Sequence, residues 1–299
     1  MRILLLGANG QVGHELRRAL GPLGDLVCTT RSGRLDGGEA CEPADFDHPV
    51  ALGALVGRIA PDVVVNAAAY TAVDRAESEP EAAFRVNAEA PATLAAACAA
   101  RDALLVHYST DYVFDGRAGR PYREDDPVAP LNVYGRSKLA GEEAIRASGA
   151  RHMVFRTAWV YSGRGHNFMR TMLRLAGERE ELRIVADQTG APTAAHLIAA
   201  ATAHALRGPR RSGLWHLAAS GATTWHGFAR AIMEHAQSRG LVDRVPVLLP
   251  IASRDYPAAA RRPRSSLLDT GRLHRDFGVE LPPWDQVLPG VLDQLARRS

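Results

Sequence analysis

A tyrosine and a lysine four residues apart, Tyr134 and Lys138, form the pair whose types and spacing best fit proton-transfer chemistry. Residues i and i+4 of a helix project from the same face, so the phenol and the ammonium would point into one cleft. A neighbouring ammonium favours the phenolate, which would let Tyr134 give a proton to a carbonyl and take one from an alcohol. A chance pair on a solvated helix is the alternative interpretation.

The rarity of lysine favours the chemical interpretation. Of the 36 lysine and arginine residues, 35 are arginine, and Lys138 is the only lysine. Arginine does not easily replace lysine where a compact ammonium must make several directed hydrogen bonds in a confined site. The composition therefore indicates that the ammonium at this position has a specific task.

A hydroxyl group, on Thr110, is predicted to face this pair. Thr110 follows an apolar segment that predicts a strand, and ligands of open parallel sheets bind outside the carboxyl ends of the strands. It would hold the carbonyl oxygen that receives the proton and share its developing charge. A strand-end hydroxyl that satisfies backbone groups is the alternative.

The elements that must position these residues alternate along the first half of the chain. Apolar runs predict strands at 3–6, 26–29, 63–65, 104–107 and 153–155, and longer amphipathic runs predict helices at 12–20, 50–59, 81–100 and 134–147. This alternation predicts an α/β fold, a Rossmann-type doubly wound parallel sheet with helices on both faces.

The second half of the chain has a looser rhythm. Helices are predicted at 167–176, 195–206 and 225–239, followed by a long irregular segment at 246–263 and a last short helix. We expect a dinucleotide-binding domain over residues 1–156, to which later segments return. Residues 157–299 would mainly form a smaller C-terminal α/β cap that binds the substrate at the carboxyl edge of the sheet.

Three glycines with the spacing GxxGxxG, Gly7, Gly10 and Gly13, directly follow the first predicted strand and open the first helix. A turn of this kind lets the backbone approach a pyrophosphate, whose charge the helix N-terminus stabilises. Spaced glycines alone are a weak signal, but their place in a strand–turn–helix unit predicts a dinucleotide site. Lys138 would then bond the nicotinamide ribose of the cofactor.

The end of the second predicted strand bears on the choice of cofactor. A site selective for NAD usually has a carboxylate there, whereas this chain has Arg31 within Cys28–Ser32 and Arg34 close by. Arg31 could pair with a 2′-phosphate, which favours NADPH, with NADH also accepted. A plain surface arginine is the alternative.

Composition excludes several other classes of protein. The net charge of +3 comes without a basic block, which argues against nucleic acid or an anionic membrane as a partner. The three cysteines lack metal-ligand spacing and suggest reduced thiols, and we expect no metal site. Since no apolar run has the length of a signal or membrane segment, we expect a cytoplasmic protein that acts as a monomer or homodimer.

Several further stretches resemble one family along essentially the whole chain. Besides the glycine turn and the Tyr/Lys pair, these are Val65–Asp74, Ser109–Phe114, Pro130–Gly135, Arg156–Tyr161, Asn167-Phe168 and Ala186–Thr193. They are similar to the extended short-chain dehydrogenase/reductases and, among these, to the dTDP-4-dehydrorhamnose reductases.

The resemblance implies reduction of the 4-keto group of dTDP-4-dehydro-6-deoxy-L-mannose to dTDP-L-rhamnose, with NADPH or NADH as hydride donor. It implies Tyr134 as proton donor, Lys138 as its partner and ribose ligand, and Thr110 as the third member. Asp111 and Trp159 match substrate contacts. The matching cofactor contacts are Asn9, Gly10, Gln11, Val12, Asp45, Phe46, Ala69, Tyr70, Thr71 and Tyr108.

Two positions depart from the family pattern. Tyr70 stands where relatives often have histidine, and His196 lies in the stretch that supplies a metal-bridging glutamate in some dimeric members, so no such metal is expected. A reductase of a related dTDP-4-keto sugar, a sugar-nucleotide epimerase and a non-catalytic binding subunit are the alternative functions. Retention of Thr110, Tyr134 and Lys138 argues against the last of these.

Overall fold

A seven-stranded parallel sheet forms the centre of the protein in the computed structural model, which describes residues 1–209 and 211–297. The strands are β1 (Arg2–Leu6), β2 (Asp25–Thr30), β3 (Glu42–Pro43), β4 (Val63–Asn66), β5 (Leu104–Thr110), β6 (His152–Thr157), β7 (Val160–Tyr161), β8 (Glu181–Val185), β9 (Thr189–Gly190), β10 (Thr193–Ala194), β11 (Gly213–His216), β12 (Thr223–Thr224) and β13 (Val247–Ile251). The central sheet has the order β11-β6-β5-β4-β1-β2-β3, and β7–β10, β9–β12 and β8–β13 form small pairs.

Eleven helices are present in the described part of the chain. They are α1 (Gln11–Leu20), α2 (Pro49–Ile59), α3 (Val73–Ala76), α4 (Pro80–Phe84), α5 (Ala90–Ala99), α6 (Val133–Ala147), α7 (Phe168–Glu178), α8 (Ala195–Arg207), α9 (Trp225–Gln237), α10 (Gly271–Phe277) and α11 (Trp284–Ala296). A π-helical segment, Arg85–Glu89, joins α4 to α5, and single 3₁₀ turns lie at Gly21–Leu23, Asp111–Val113 and Ser253–Asp255.

The central strands are apolar because both faces of the sheet are covered. On one face, β1, β4 and β5 pack with side chains of α1 and α8, such as Leu16 and Ile198. On the other face, their alternate residues pack with α2, α5 and α6, through Leu52, Leu94 and Ile145 among others. The α/β fold with a doubly covered parallel sheet is confirmed.

The later segments build a separate apolar core. Residues from α7, α9 and α11, including Met169, Phe228 and Leu288, pack with one another and with β8. Two later elements instead join the main body, because β11 pairs with β6 at the sheet edge and α8 packs on α1.

The structure contains elements that the sequence pattern did not predict, among them β8, β11 and α10. The segment predicted to be irregular contains β13, which pairs in parallel with β8 even though Pro250 lies within it. A proline is tolerated there because β13 is an edge strand of a two-stranded sheet. The helix predicted at 81–100 contains the π-helical turn, and the last helix, predicted to be short, spans 13 residues. In the described residues, no helix has the length and apolar character needed to cross a membrane.

Candidate active site

The glycine turn between β1 and α1 is built by close backbone packing. Gly7 has a φ of +79°, and a Cβ on Gly13 would lie 2.0 Å from the carbonyl oxygen of Gly7. Gly10 is the N-cap of α1, and within residues 1–209 and 211–297 no side chain caps this helix end. Free N–H groups at a helix N-terminus bind anions, so the turn fits the pyrophosphate of a dinucleotide.

Two side chains of this turn connect it to its surroundings. Asn9 donates to the carbonyl oxygen of Arg34 (3.0 Å) and accepts from the backbone N–H of Asp36 (3.1 Å). Gln11 accepts hydrogen bonds from Ser162 (3.0 Å) and Asn167 (2.8 Å), both in the second half of the chain. The adjacent Val12 packs against the apolar core, so the ligand-facing groups of the turn are mainly backbone atoms.

Arg31 and Asp45, two predicted cofactor contacts, are neighbours at the end of β2. The Arg31 side chain is 70% exposed, and its guanidinium lies 3.5 Å from Asp45 and 3.7 Å from Asp47. Both carboxylates would compete with a 2′-phosphate for the same guanidinium. Arg34, predicted to support Arg31, donates to the carbonyl oxygen of Gly38.

The predicted contacts that follow β4 lie at the carboxyl edge of the sheet. Ala69 and Thr71 are exposed there. Tyr70 is held between two partners: its backbone N–H donates to Asn87 (2.9 Å) and its hydroxyl donates to Glu79 (2.6 Å). Asn87 comes from the π-helical turn, which thereby connects the α4–α5 region to this edge.

Phe46 and Tyr108 are buried rather than open to a ligand. The Phe46 ring packs in the apolar layer beneath α2, and the Tyr108 hydroxyl is hydrogen-bonded to Thr202 on α8 (2.8 Å). Their side chains therefore stabilise the core. A cofactor could contact these two residues only through their other atoms.

Tyr134 and Thr110 come together where α6 meets the end of β5. Asn132 caps α6 by accepting from the N–H of Gly135 (2.7 Å), which places Tyr134 in the first helical turn. Gly135 allows a close approach, since a Cβ there would lie 2.3 Å from the carbonyl oxygen of Tyr112. The Tyr134 phenol lies beside the hydroxyl of Thr110, and that hydroxyl donates to Asp111 (3.0 Å).

The charge state of Tyr134 differs from the sequence expectation. Burial raises the pKa of Tyr134 to about 12, although the Thr110 hydroxyl beside it works in the opposite direction. Lys138 lies at the expected helical spacing, but its Nζ donates to the carbonyl oxygen of Tyr108 (2.6 Å) and lies 3.1 Å from His107 Nε2. Burial of the phenol outweighs the interaction with Thr110, the Asp111 carboxylate acts in the same direction as burial, and Tyr134 carries its proton.

Asp111 is buried beside this cluster. Its Oδ1 accepts from Thr110, its Oδ2 has no hydrogen-bond partner in the described part of the chain, and the Ser266 side chain lies close by. Burial raises the pKa of Asp111 to about 7. Ser266 belongs to a segment that sequence reasoning did not connect with the site, and a single serine offered no signal for it.

A cavity of about 620 Å³ opens in the second half of the chain. Its lining combines apolar side chains, among them Phe168, Met172 and Trp225, with the arginines Arg254, Arg261 and Arg262. A groove of about 700 Å³ shares the last two arginines. Of the cavity's arginines, Arg262 is paired with Asp74 at 2.6 Å and lies near Tyr112, whose ring contacts that of Tyr134.

Trp159, predicted to contact the substrate, stacks on Trp225 with ring centroids 3.5 Å apart and planes 3° apart. It has a φ of +47°, unusual for a bulky residue, and a Cβ on Gly190 would lie 2.3 Å from its ring. One face of Trp159 is therefore covered by Trp225, which lines the cavity. Sequence reasoning missed Trp225 because it lies 66 positions further along the chain; the nearby run Arg261-Arg262-Pro263-Arg264 was a visible signal of an anion site.

Comparison with known proteins gives the family. The family described as RmlD substrate binding domain matches residues 1–297. The chain belongs to this family. Its members include a dTDP-4-dehydrorhamnose reductase of Escherichia coli K12, 47% identical over 299 residues and covering 99% of this chain and 98% of the relative. A dTDP-4-dehydrorhamnose reductase of Burkholderia thailandensis is 50% identical over 296 residues and covers 95% of each chain.

Solved structures of this family superpose closely on the fold. A dTDP-4-dehydrorhamnose reductase of Clostridium acetobutylicum has a TM-score of 0.89 at 33% identity and covers 99% of both chains. The enzyme of the same name from Bacillus anthracis, solved in complex with NADP, has a TM-score of 0.88 at 32% identity and covers 98% of this chain and 99% of its own. The roles of the individual site residues in this chain remain predictions.

Proposed function

We propose that this chain is an NAD(P)H-dependent reductase that converts the 4-keto group of dTDP-4-dehydrorhamnose to the alcohol of dTDP-L-rhamnose. The observation that carries the proposal is the partly buried Tyr134 side chain, whose phenol lies beside the Thr110 hydroxyl at the carboxyl edge of a sheet that also carries a dinucleotide turn. Membership of the family and the names of its reductase relatives support the substrate class.

The proposed chemistry follows from the proton on Tyr134. Reduction of a ketone adds a hydride to carbon and a proton to oxygen. A phenol with a pKa of about 12 carries that proton throughout the neutral range, and an alkoxide is basic enough to take it. Thr110, beside the phenol, would orient the ketone oxygen, and Tyr134 would be left as the phenolate.

The cofactor site is proposed at the first turn. The turn at Gly7–Gly13 and the uncapped start of α1 would hold the pyrophosphate, and Arg31 would contact a 2′-phosphate. NADPH supplies the hydride when bound. Lys138 would bond the ribose after leaving the carbonyl oxygen of Tyr108, its present partner.

The substrate is proposed to lie in the cavity beside this edge. Cavities of a few hundred cubic ångströms suit ligands of this size, and the apolar and arginine side chains match a flat base and a diphosphate. Phe168 and Trp225 would pack on the apolar parts, while Arg261 and Arg262 would pair with the phosphates. Asp111 would accept a hydrogen bond from a sugar hydroxyl near the reacting carbon.

We also propose the division of the chain into a cofactor part, residues 1–156, and a mainly substrate-binding part, residues 157–299. The separate apolar core of α7, α9 and α11 supports it, with α8 and β11 returning to the first part. A cytoplasmic monomer or homodimer that uses neither nucleic acid nor metal is part of the same proposal, and light scattering would give the oligomeric state.

A product assay tests the function. The protein is incubated with NADPH and a panel of dTDP-4-keto-6-deoxy sugars, and the new alcohol centre is assigned by NMR. We expect one NADPH consumed per product and dTDP-L-rhamnose as the product. A product without NADPH consumption would indicate an epimerase, and turnover of a different keto sugar alone would indicate a related reductase.

A further inference from the structure

Three buried side chains form a row of close polar contacts that begins at Asn66 and ends at Lys138. Asn66, at the end of β4, stands directly beside His107 on β5. Asn66 Nδ2 lies 3.1 Å from His107 Nδ1, and His107 Nε2 lies 3.1 Å from Lys138 Nζ. All three side chains are 1% exposed, so water does not compete for these bonds.

The donor and acceptor roles in this row are set at Asn66. The backbone N–H of Ala68 donates to Asn66 Oδ1 (3.1 Å), and a backbone N–H is always a donor. Asn66 must therefore present its NH₂ group to His107, whose Nδ1 then acts as the acceptor. A neutral imidazole that accepts at Nδ1 carries its proton on Nε2, and that N–H points at Lys138.

An N–H group aimed at an ammonium is a contact between two donors, whereas a neutral amine has a lone pair that accepts it. The amine can still donate to the carbonyl oxygen of Tyr108 (2.6 Å). Turning the Asn66 amide would relieve His107 but would place the NH₂ group against the N–H of Ala68. When Lys138 is uncharged, no two donors therefore face each other in this arrangement.

We propose that His107 is a positioning residue that sets the proton state of Lys138, by presenting a hydrogen-bond donor whose direction is imposed by Ala68 and Asn66. The inference rests on the proposed function and deepens it, since Lys138 is there the ligand of the cofactor ribose. On this inference, the surroundings of Lys138 adjust the pKa of its amine, so the only lysine of the chain is not permanently charged.

The other charges around Lys138 agree with this. Burial lowers the pKa of Lys138 to about 8, and Glu142 on the same helix raises it. Both oxygens of Glu142 are already bonded to Arg156 on β6, at 2.9 and 2.7 Å, which limits that effect. Burial and the neighbouring Lys138 lower the pKa of His107 well below its ordinary value, so the imidazole is neutral. The Tyr134 phenol, on the preceding turn of α6, carries its proton.

The test uses the fact that the chain has one lysine. Protein labelled with ¹³C at lysine Cε gives a single side-chain resonance, whose chemical shift follows the protonation of Lys138 with no cofactor or substrate added. We expect a midpoint near pH 8 in the wild type and an upward move of about one pH unit or more in His107→Phe. A wild-type midpoint at the ordinary lysine value of 10.5 would overturn the inference.

Two further variants separate the effect of hydrogen-bond direction on the pKa of Lys138 from the effect of burial. Asn66→Ala adds no charge and frees His107 to take the other tautomer, so the midpoint should rise, and in the His107→Phe background it should produce no additional rise. His107→Gln keeps an acceptor towards Asn66 and a donor towards Lys138, so its midpoint should stay close to that of the wild type. A folded Asn66→Ala protein with the wild-type midpoint would contradict the proposed direction.

A measurement on the wild type keeps the test independent of folding in the variants. The ¹⁵N and ¹³C shifts of the His107 ring should report the Nε2–H tautomer, and the Nδ1–H tautomer would overturn the inference. If the protein reduces none of the keto sugars but its lysine titrates as expected, the proposed function fails and this inference stands. In an active enzyme, His107→Phe should also move the alkaline limb of kcat/KM for NADPH upward, because that profile reports ionisations of the cofactor-free enzyme.

Discussion

The dinucleotide turn and the substrate cavity are built in different ways. The turn is made of backbone over seven consecutive residues, and glycines at Gly7 and Gly13 permit contacts that no side chain could tolerate. The cavity is made of side chains from α7, α9 and the segment around Arg261, which are far apart in the chain. Tyr134 and Lys138 belong to neither region and lie on α6, which packs against β5. The turn therefore depends on local geometry, and the cavity depends on the packing of the whole second half of the chain.

The largest effect is expected on α6, outside both regions. Tyr134→Phe removes the proposed proton donor, so kcat should fall on the order of 10²-fold or more. The dissociation constant of NADPH should remain near the wild-type value, because the phenol is not part of the turn. Steady-state kinetics and a fluorescence titration with NADPH check both. Wild-type turnover in this variant would refute the role of Tyr134.

The next largest effect is expected from a substitution that disrupts the glycine turn and leaves the cavity intact. A Cβ on Gly13 would lie 2.0 Å from the backbone oxygen of Gly7, so Gly13→Ala should weaken NADPH binding by about tenfold or more. The KM for the sugar nucleotide should change little.

Matched glycine variants sharpen this prediction. A Cβ on Gly10 would lie 3.2 Å from the same oxygen, so Gly10→Ala should have a smaller effect. At Gly21, at the other end of α1, a Cβ would meet none of the described atoms within 4 Å, so Gly21→Ala serves as the control. Equal losses in all three variants would show that crowding of the turn is not the cause.

A substitution in the cavity should raise the KM for the sugar nucleotide and leave NADPH binding unchanged. Trp225→Ala removes a wall of the cavity and the stacking partner of Trp159, so the KM for the sugar nucleotide should rise roughly tenfold. NADPH binding should stay near the wild-type value. Initial rates with each substrate varied in turn measure the difference, and a loss confined to NADPH would place Trp225 outside the substrate site.

The smallest effect concerns the choice of cofactor. The Arg31 side chain is 70% exposed and shared between two carboxylates, so a 2′-phosphate gains little from it. Arg31→Ala should weaken NADPH by about fivefold and leave NADH nearly unchanged. Binding constants for both cofactors check this, and equal losses would show that Arg31 does not read the phosphate.

The parts of the site that could be predicted from sequence are those in which neighbours along the chain do the work. The turn of Gly7, Gly10 and Gly13 needs a strand before it and a helix after it, and both could be predicted from local patterns. The spacing of Tyr134 and Lys138 likewise gives one helical face without any knowledge of the rest of the fold.

What could not be predicted depends on residues that meet only after folding. Asn66, His107 and Lys138 lie on two strands and a helix, and their hydrogen-bond direction follows from a backbone N–H that no residue type encodes. Ser266 reaches Asp111, and Trp225 reaches Trp159, only because the second half folds back over the sheet edge.

By itself, the sequence determined the alternation of strands and helices, the cofactor turn, and the pairing of a phenol with the sole lysine, because each rests on backbone geometry within a few residues. Only the tertiary fold raises the pKa of Tyr134 above its ordinary value, brings Lys138 against an imidazole, and assembles an arginine-lined cavity from the second half of the chain. Desolvation and hydrogen-bond direction are properties of a residue's surroundings, and those surroundings come from distant parts of the chain.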